Sequence, residues 1–251
     1  MGDLVQDGPR GRFVLTRAVA TPIALVTGAG RGIGRAVADR FGAAGYMVVL
    51  AEARATLGRR AEQALRKSGA QASFVHTDVA DFRSVQRLVR VVLERFGRID
   101  CLVNNAGVLV VGPLVRVPVA ALDRVLSINL RGPMLLTRAV LTIMLRQRSG
   151  SIVNVASQLG KFGAAGYAAY CASKFGLVGF TEALAEELAR TNVRVWAVCP
   201  GLVDTPMARL TGIRAHERRG LIRPESVARL VLELAAGRRQ EPSGAAIDVL
   251  R

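Results

Sequence analysis

Short apolar runs of strand length alternate along this chain with longer segments of helical period, and that alternation restricts the fold more than any other feature. Runs such as Ala24-Leu25-Val26 and Val48-Val49-Leu50 are apolar at consecutive positions, as expected of strands covered on both faces. The pattern predicts strands at 23–27, 47–51, 73–77, 101–104, 152–156, 194–198 and 246–249, with helices near 33–44, 56–68, 81–96, 120–147, 168–190 and 224–236. Repeated βα units of this kind build an α/β, Rossmann-type doubly wound seven-stranded parallel sheet with helices on both faces. Ligands of such a sheet bind beyond the carboxyl ends of its strands, so chemistry is expected at those ends.

The chain has 251 residues, 51% of them hydrophobic, which suffices for one large core; 22–251 reads as a single domain. Residues 1–21 carry Gly-Pro and Arg-Gly-Arg ahead of the first strand and read as a mobile extension. They lack the apolar core of a secretory signal, and no apolar run elsewhere reaches the length of a membrane span, so a cytoplasmic protein without a membrane partner is expected. Cys101, Cys171 and Cys199 form an odd set without metal-ligand spacing. They read as reduced thiols packed as small apolar residues, with no metal site.

The formal net charge of +16 comes almost wholly from arginine, because lysine occurs only at 67, 161 and 174. Such a surface draws anions, whether acidic proteins, coenzyme A thioesters or nucleic acid. Yet Arg35, Arg40, Arg59, Arg60, Arg66, Arg87, Arg90 and Arg95 are scattered through helical segments instead of gathering with aromatic residues into a stripe. A solvated basic surface follows, and nucleic acid is not an expected partner.

Two constellations carry chemistry. The turn Thr27-Gly28-Ala29-Gly30-Arg31-Gly32-Ile33-Gly34 joins the first strand to the first helix. There the missing side chains let backbone approach a pyrophosphate, and the helix N-terminus offers unpaired N–H groups. The turn departs from Gly-x-Gly-x-x-Gly in both registers, since Ile33 or Arg35 takes the third position. Farther on, Tyr170 and Lys174 stand four residues apart on a predicted helix, with Ser157 thirteen residues upstream. Residues four apart share a helix face, so the Lys174 ammonium is expected beside the Tyr170 phenol, favouring its ionised form. That would make a group ordinarily titrating near ~10 usable as an acid/base at neutral pH. Together the two constellations point to nicotinamide-dependent hydride transfer. Singly each residue has a plainer reading: the tyrosine as a core side chain, Ser157 as a turn residue, Asn129 as a local backbone cap.

The Thr-Gly-x-x-x-Gly-x-Gly spacing resembles the short-chain dehydrogenase/reductase family, and the resemblance continues in the family's order from about residue 22 to 249. It implies that Gly28, Arg31, Gly32, Ile33 and Gly34 cradle a dinucleotide, that Asp78 and Val79 meet its adenine end, and that Asn105, in Asn-Asn-Ala-Gly, lies near its ribose. It implies further that Ser157, Tyr170 and Lys174 are catalytic, Lys174 also bonding the nicotinamide ribose. Asn129 would hold a kinked helix and a proton-relaying water, and Pro200, Val203 and Thr205 would lie in a loop over the nicotinamide. A homodimer or homotetramer joined through the helices near 120–147 and 168–190 is implied in the same way.

Glu52, at the end of the second strand, can accept hydrogen bonds from adenosine ribose hydroxyls and would repel a 2′-phosphate, so NAD(H) is favoured. Arg31 and Arg54 leave NADP(H) as the alternative cofactor. The segment around Tyr170 is similar to 3-oxoacyl-[acyl-carrier-protein] reductases and to sugar, polyol and alcohol dehydrogenases. Arg148 falls where those reductases bear a docking arginine, and Arg190 lies beside a second such position. With the basic charge, this favours a 3-oxoacyl thioester substrate, carried by an acidic acyl carrier protein. A sugar, polyol or secondary alcohol dehydrogenase is the alternative. A catalytically idle dinucleotide-binding protein is a third reading, disfavoured because Asn129, Ser157, Tyr170 and Lys174 are all present. A substrate lid is expected near 205–223.

Overall fold

The computed structural model describes residues 5–7, 12–14, 21–212 and 220–250. β1 (Val5–Asp7) and β2 (Arg12–Val14) pair antiparallel as a separate two-stranded sheet. That much of the expected mobile extension is strand; its other residues before 21 lie outside the described residues.

The main sheet holds β3 (Ile23–Thr27), β4 (Met47–Glu52), β5 (Ala72–His76), β6 (Cys101–Asn104), β7 (Gly150–Val155), β8 (Val193–Pro200) and β9 (Ala246–Val249). All neighbours run parallel, in the order β5-β4-β3-β6-β7-β8-β9. Each strand predicted from the sequence is present, its ends displaced by one or two residues at β4, β5, β7 and β8. The helices are α1 (Gly32–Ala43), α2 (Ala55–Lys67), α3 (Phe82–Phe96), α4 (Val119–Leu126), α5 (Gly132–Gln147), α6 (Ala168–Glu187) and α7 (Pro224–Ala235).

Alternate strand residues feed opposite faces. Ala24, Val26, Val48, Leu50, Val103, Val153 and Trp196 join side chains of α1, α2 and α7 in one core. Ile23, Leu25, Val49, Leu102, Ile152 and Val195 join α3, α5 and α6 in the other. Consecutive apolar residues are therefore required along the inner strands, whose two faces are both covered, while the edge strands β5 and β9 carry the exposed His76 and Asp248. The chain runs outward through β3, β4 and β5 and then returns to β6 on the other side of β3. This reversal opens a crevice between the carboxyl ends of β3 and β6, where such sheets bind ligands.

The helix expected over 120–147 is interrupted. A π-helical turn at Ser127–Arg131 joins α4 to α5 and carries Asn129 at its centre. By length and composition alone, the continuous helical run Val119–Gln147 could cross a membrane. That departs from the expectation that no run would reach span length. Here half of its apolar window is buried, and Leu136, Val140 and Met144 belong to the core beside α3 and α6, which is how a core helix behaves.

Candidate active site

A cleft of about 810 Å³ opens along the carboxyl ends of the strands. Gly28, Arg31, Gly32, Ile33, Glu52, Asp78, Val79, Asn105, Ser157, Tyr170, Lys174, Pro200, Val203 and Thr205 all line it. Residues from seven separate segments thus converge on one cavity, six of them at or just beyond strand ends and the seventh on α6. Gly34 and Asn129, the other two predicted site residues, stand behind its wall.

At the glycine turn, Gly28 and Gly32 adopt positive φ (62° and 56°), a conformation costly for other residues. Gly34 permits a close approach: a Cβ there would lie 2.3 Å from both the Gly28 carbonyl oxygen and Asn105 Nδ2. Asn105 stitches the turn to β6, donating from Nδ2 to the carbonyls of Thr27 (2.9 Å) and Gly28 (3.2 Å). Thr27 Oγ1 accepts from the N–H groups of Asn105 and Ala106 at 2.9 and 3.0 Å. Asn105, expected near a ribose, therefore already commits its amide to the turn. The N-terminus of α1 faces the cleft with no side-chain cap on its free N–H groups. Those unpaired donors, with glycine on either side, fit a pyrophosphate.

Glu52 is buried at the end of β4, with Oε2 accepting from the Gly30 N–H and Oε1 from the Arg54 N–H, both at 3.1 Å. Arg54 Nε lies 3.8 Å from the same carboxylate. Burial and the nearby Arg54 guanidinium lower the Arg31 pKa, against the pull of Glu52. One carboxylate and two guanidiniums thus share the far end of the cleft.

At the other end Ser157 follows β7 and caps a 3₁₀ turn at Gln158–Gly160, its Oγ accepting from the Leu159 N–H at 3.1 Å. Tyr170 and Lys174 project from α6, as the four-residue spacing predicts. Lys174 is buried, and its Nζ donates to the Val155 carbonyl at 2.7 Å and sits 5.7 Å from the Tyr170 ring centroid. Burial pulls the Lys174 pKa down to about 8. Burial also pushes the Tyr170 phenol up to about 12, with a hydrogen bond from Ser157 acting against that rise. The expected lowering of the Tyr170 pKa by Lys174 is therefore not found. The ammonium bonds a backbone carbonyl and desolvation dominates both groups, so Tyr170 rests as a neutral phenol, a proton donor.

Asn129 is wholly buried. Its Oδ1 accepts from the Val108 N–H at 2.8 Å, while Nδ2 donates to the Val108 carbonyl at 2.9 Å and to Ser173 Oγ at 3.2 Å. Ser173 Oγ in turn donates to the Tyr170 carbonyl at 2.7 Å. The side chain thus braces the π-turn, the loop after β6 and the helix bearing Tyr170 and Lys174, as the expected holding of a kinked helix requires.

Sequence reasoning missed Thr27 and Ser173, whose hydroxyls reveal their partners only in three dimensions. It also passed over Gln158, Leu159 and Phe162, which line the cleft with Ser157 and Tyr170. A further omission had a visible signal, the polar Asn154 inside the apolar run of β7. Asn154 Oδ1 accepts from Asn104 Nδ2 at 2.9 Å, and its own Nδ2 donates to Thr181 Oγ1 at 2.9 Å, tying β6, β7 and α6 together below the cleft. The expected lid is split: Ala208–Thr211 forms a 3₁₀ turn, Met207 and Thr211 line the cleft, and 213–219 lie outside the described residues.

Comparison with known proteins agrees with this geometry. A family model described as short chain dehydrogenase matches residues 22–214. A 3-oxoacyl-[acyl-carrier-protein] reductase of Synechocystis sp. is 41% identical over 191 residues, covering 76% of this chain and 77% of that one. Galactitol 2-dehydrogenase of Agrobacterium fabrum is 40% identical over 186 residues, 72% of this chain and 70% of the relative. Among solved structures, an actinorhodin polyketide ketoreductase variant with NADPH superposes with a TM-score of 0.85 at 36% identity, covering 91% of this chain and 95% of its own.

Proposed function

The chain belongs to the short-chain dehydrogenase family, and from that membership we propose that it is a reductase of 3-oxoacyl thioesters, working with NAD(H). The observation that carries the proposal is the meeting of Ser157, Tyr170 and Lys174 in one cleft with the uncapped, glycine-lined start of α1. When bound, the nicotinamide supplies or accepts the hydride. Ser157 and Tyr170 hold the substrate oxygen, and the neutral Tyr170 phenol gives it a proton as charge develops there. Lys174, charged below about 8, steadies the phenolate left behind. Gly28, Arg31, Gly32, Ile33, Asp78, Val79, Asn105, Pro200, Val203 and Thr205 line the space a dinucleotide would take, while Gly34 sets the turn and Asn129 the helix.

Glu52 supports NAD(H), because a buried carboxylate held by two backbone N–H groups faces the ribose end and resists a second anion. Arg31 and Arg54 give NADP(H) its purchase, so Glu52→Ser should raise the NADPH/NADH ratio of kcat/KM at least about tenfold. An unmoved ratio would remove Glu52 from cofactor choice. The two similar reductases support an acyl thioester, with Arg148 and Arg190 offered to an acidic carrier. Similarity to galactitol 2-dehydrogenase supports the second reading, an alcohol or polyol dehydrogenase. Exposed Met134 on α5 and Phe175 on α6 favour a homo-oligomer built through those helices, and a cytoplasmic location belongs to the same proposal. Titration with NADH and NADPH, then turnover with acetoacetyl-coenzyme A, tests it. Binding with thioester reduction supports the reductase, whereas binding with oxidation of polyols alone selects the second reading.

A further inference from the structure

The turn that carries Ser157 is held from two sides, and one of the holds lies outside the cleft. On the inner side Gly160 packs directly on α6: a Cβ there would come within 2.8 Å of the Lys174 carbonyl oxygen and 3.0 Å of its carbonyl carbon. On the outer side Lys161 reaches to β9, the edge strand of the sheet. Its Nζ donates to the Ala246 carbonyl at 2.7 Å and lies 3.0 Å from Asp248 Oδ1. The carbonyls of Ala245 and Val249 accept from β8 and the residue after it, so by strand alternation the Ala246 carbonyl faces the free edge. Lys161 therefore satisfies an edge carbonyl and a carboxylate with one ammonium. Asp248, two residues on from Ala246, brings its carboxylate to the same ammonium.

Inside the turn the connection runs straight to the serine. The Lys161 N–H donates to the Gln158 carbonyl at 2.8 Å, the Gly160 N–H to the Ser157 carbonyl at 2.9 Å, and the Leu159 N–H to Ser157 Oγ at 3.1 Å. A shift of Lys161 is thus passed to the Ser157 hydroxyl through bonded backbone. The buried Cys199 thiol on β8 accepts a hydrogen bond from the Ser157 backbone and feels the opposed charges of Lys161 and Asp248.

We propose that Lys161 and Asp248 form a latch from the catalytic turn to the edge strand that positions the Ser157 hydroxyl for the substrate oxygen. They are positioning residues; neither lines the cleft. The inference rests on Ser157 acting as proposed above. Both side chains are partly exposed, at 31% and 41%, so the latch acts through geometry more than through ion-pair strength.

The test is steady-state reduction of acetoacetyl-coenzyme A by Lys161→Met, Asp248→Asn, the double variant and Lys161→Arg, with NADH affinity measured by fluorescence titration. Misplacing a substrate-holding group by a fraction of an ångström should lower kcat about tenfold in either single variant, with NADH affinity unchanged. The double variant should be no worse than the worse single one, and Lys161→Arg should recover most of the loss. Additive losses, a kcat within about twofold of the parent, or a loss that follows NADH affinity would overturn the latch. Ser157→Ala separates the two levels. If it retains full turnover, the functional reading fails; if it is inactive while Lys161→Met and Asp248→Asn are fast, only the latch fails.

Discussion

Tyr170 and Lys174 show how burial assigns roles within a pair that the sequence alone presents as a simple contact. Four-residue spacing puts both on one face of α6, yet Lys174 turns to the Val155 carbonyl and burial moves the two groups in opposite directions, the amine to about 8 and the phenol to about 12. The phenol is therefore a donor across the whole physiological range, and the titrating member of the pair is the lysine. Reduction should fall as pH rises through about 8, because deprotonated Lys174 no longer offsets the phenolate formed when Tyr170 gives up its proton. The checking measurement is kcat/KM for acetoacetyl-coenzyme A from pH 6 to 10, which reports groups of the free enzyme. A profile flat to pH 10 would assign Lys174 a purely structural place. Tyr170→Phe, which keeps the ring and removes the proton, should cut kcat by about 10²–10⁴-fold while NADH binds as before. Loss of NADH binding instead would show that the hydroxyl holds the cleft together.

Among elements, the π-turn between α4 and α5 departs most from what periodicity forecasts. An apolar stripe over 120–147 reads as one helix, and a widened turn leaves that period almost unchanged, so its place is hidden until Asn129 is seen bonded to both polar groups of Val108. Asn129→Ala would take their partner from the Val108 N–H and carbonyl and one of its two hydrogen bonds from the buried Ser173 hydroxyl. A loss of about 2–4 kcal/mol follows, seen as a lower Tm and a smaller urea midpoint. If Tm stays within a degree, the brace is incidental and Asn129 must be explained by chemistry alone. The inner strands of the main sheet were legible for the opposite reason: burial on both faces writes itself as apolar runs, and glycine marks the turn where β3 enters α1. Cleft residues at strand ends were equally legible, because topology fixes where strand ends meet. What could not be read were partners far apart in sequence, such as Thr27 with Ala106, Ser173 with Asn129 and Lys161 with Asp248, and the balance of desolvation that sets the Tyr170 pKa.

For the molecule as a whole the open question is what a net charge of +16 does. The fold scatters its arginines over outward faces of helices: Arg59, Arg60 and Arg66 lie exposed on α2, and Arg83, Arg87 and Arg90 on α3, on opposite sides of the sheet. Local pairs such as Arg66 with Glu62 and Arg90 with Glu94 neutralise some of this charge, but 35 basic residues face 19 acidic ones over the full chain. The excess is therefore a long-range field around the molecule and not a pocket feature. A field of that kind raises encounter rates with acidic partners and is screened by salt over about 8 Å at physiological ionic strength. It has little purchase on a neutral molecule. If the natural substrate arrives on an acidic carrier, kcat/KM for the carrier-borne 3-oxoacyl group should fall about tenfold between 50 and 500 mM KCl. Over the same range, kcat/KM for a small uncharged ketone should change by less than about twofold. The ketone serves as the internal control, since salt effects on folding, NADH binding or the chemical step would lower both rates together. Equal salt slopes would mean that the basic surface plays no part in delivering substrate, and the alcohol or polyol reading would then stand ahead of the carrier-borne thioester.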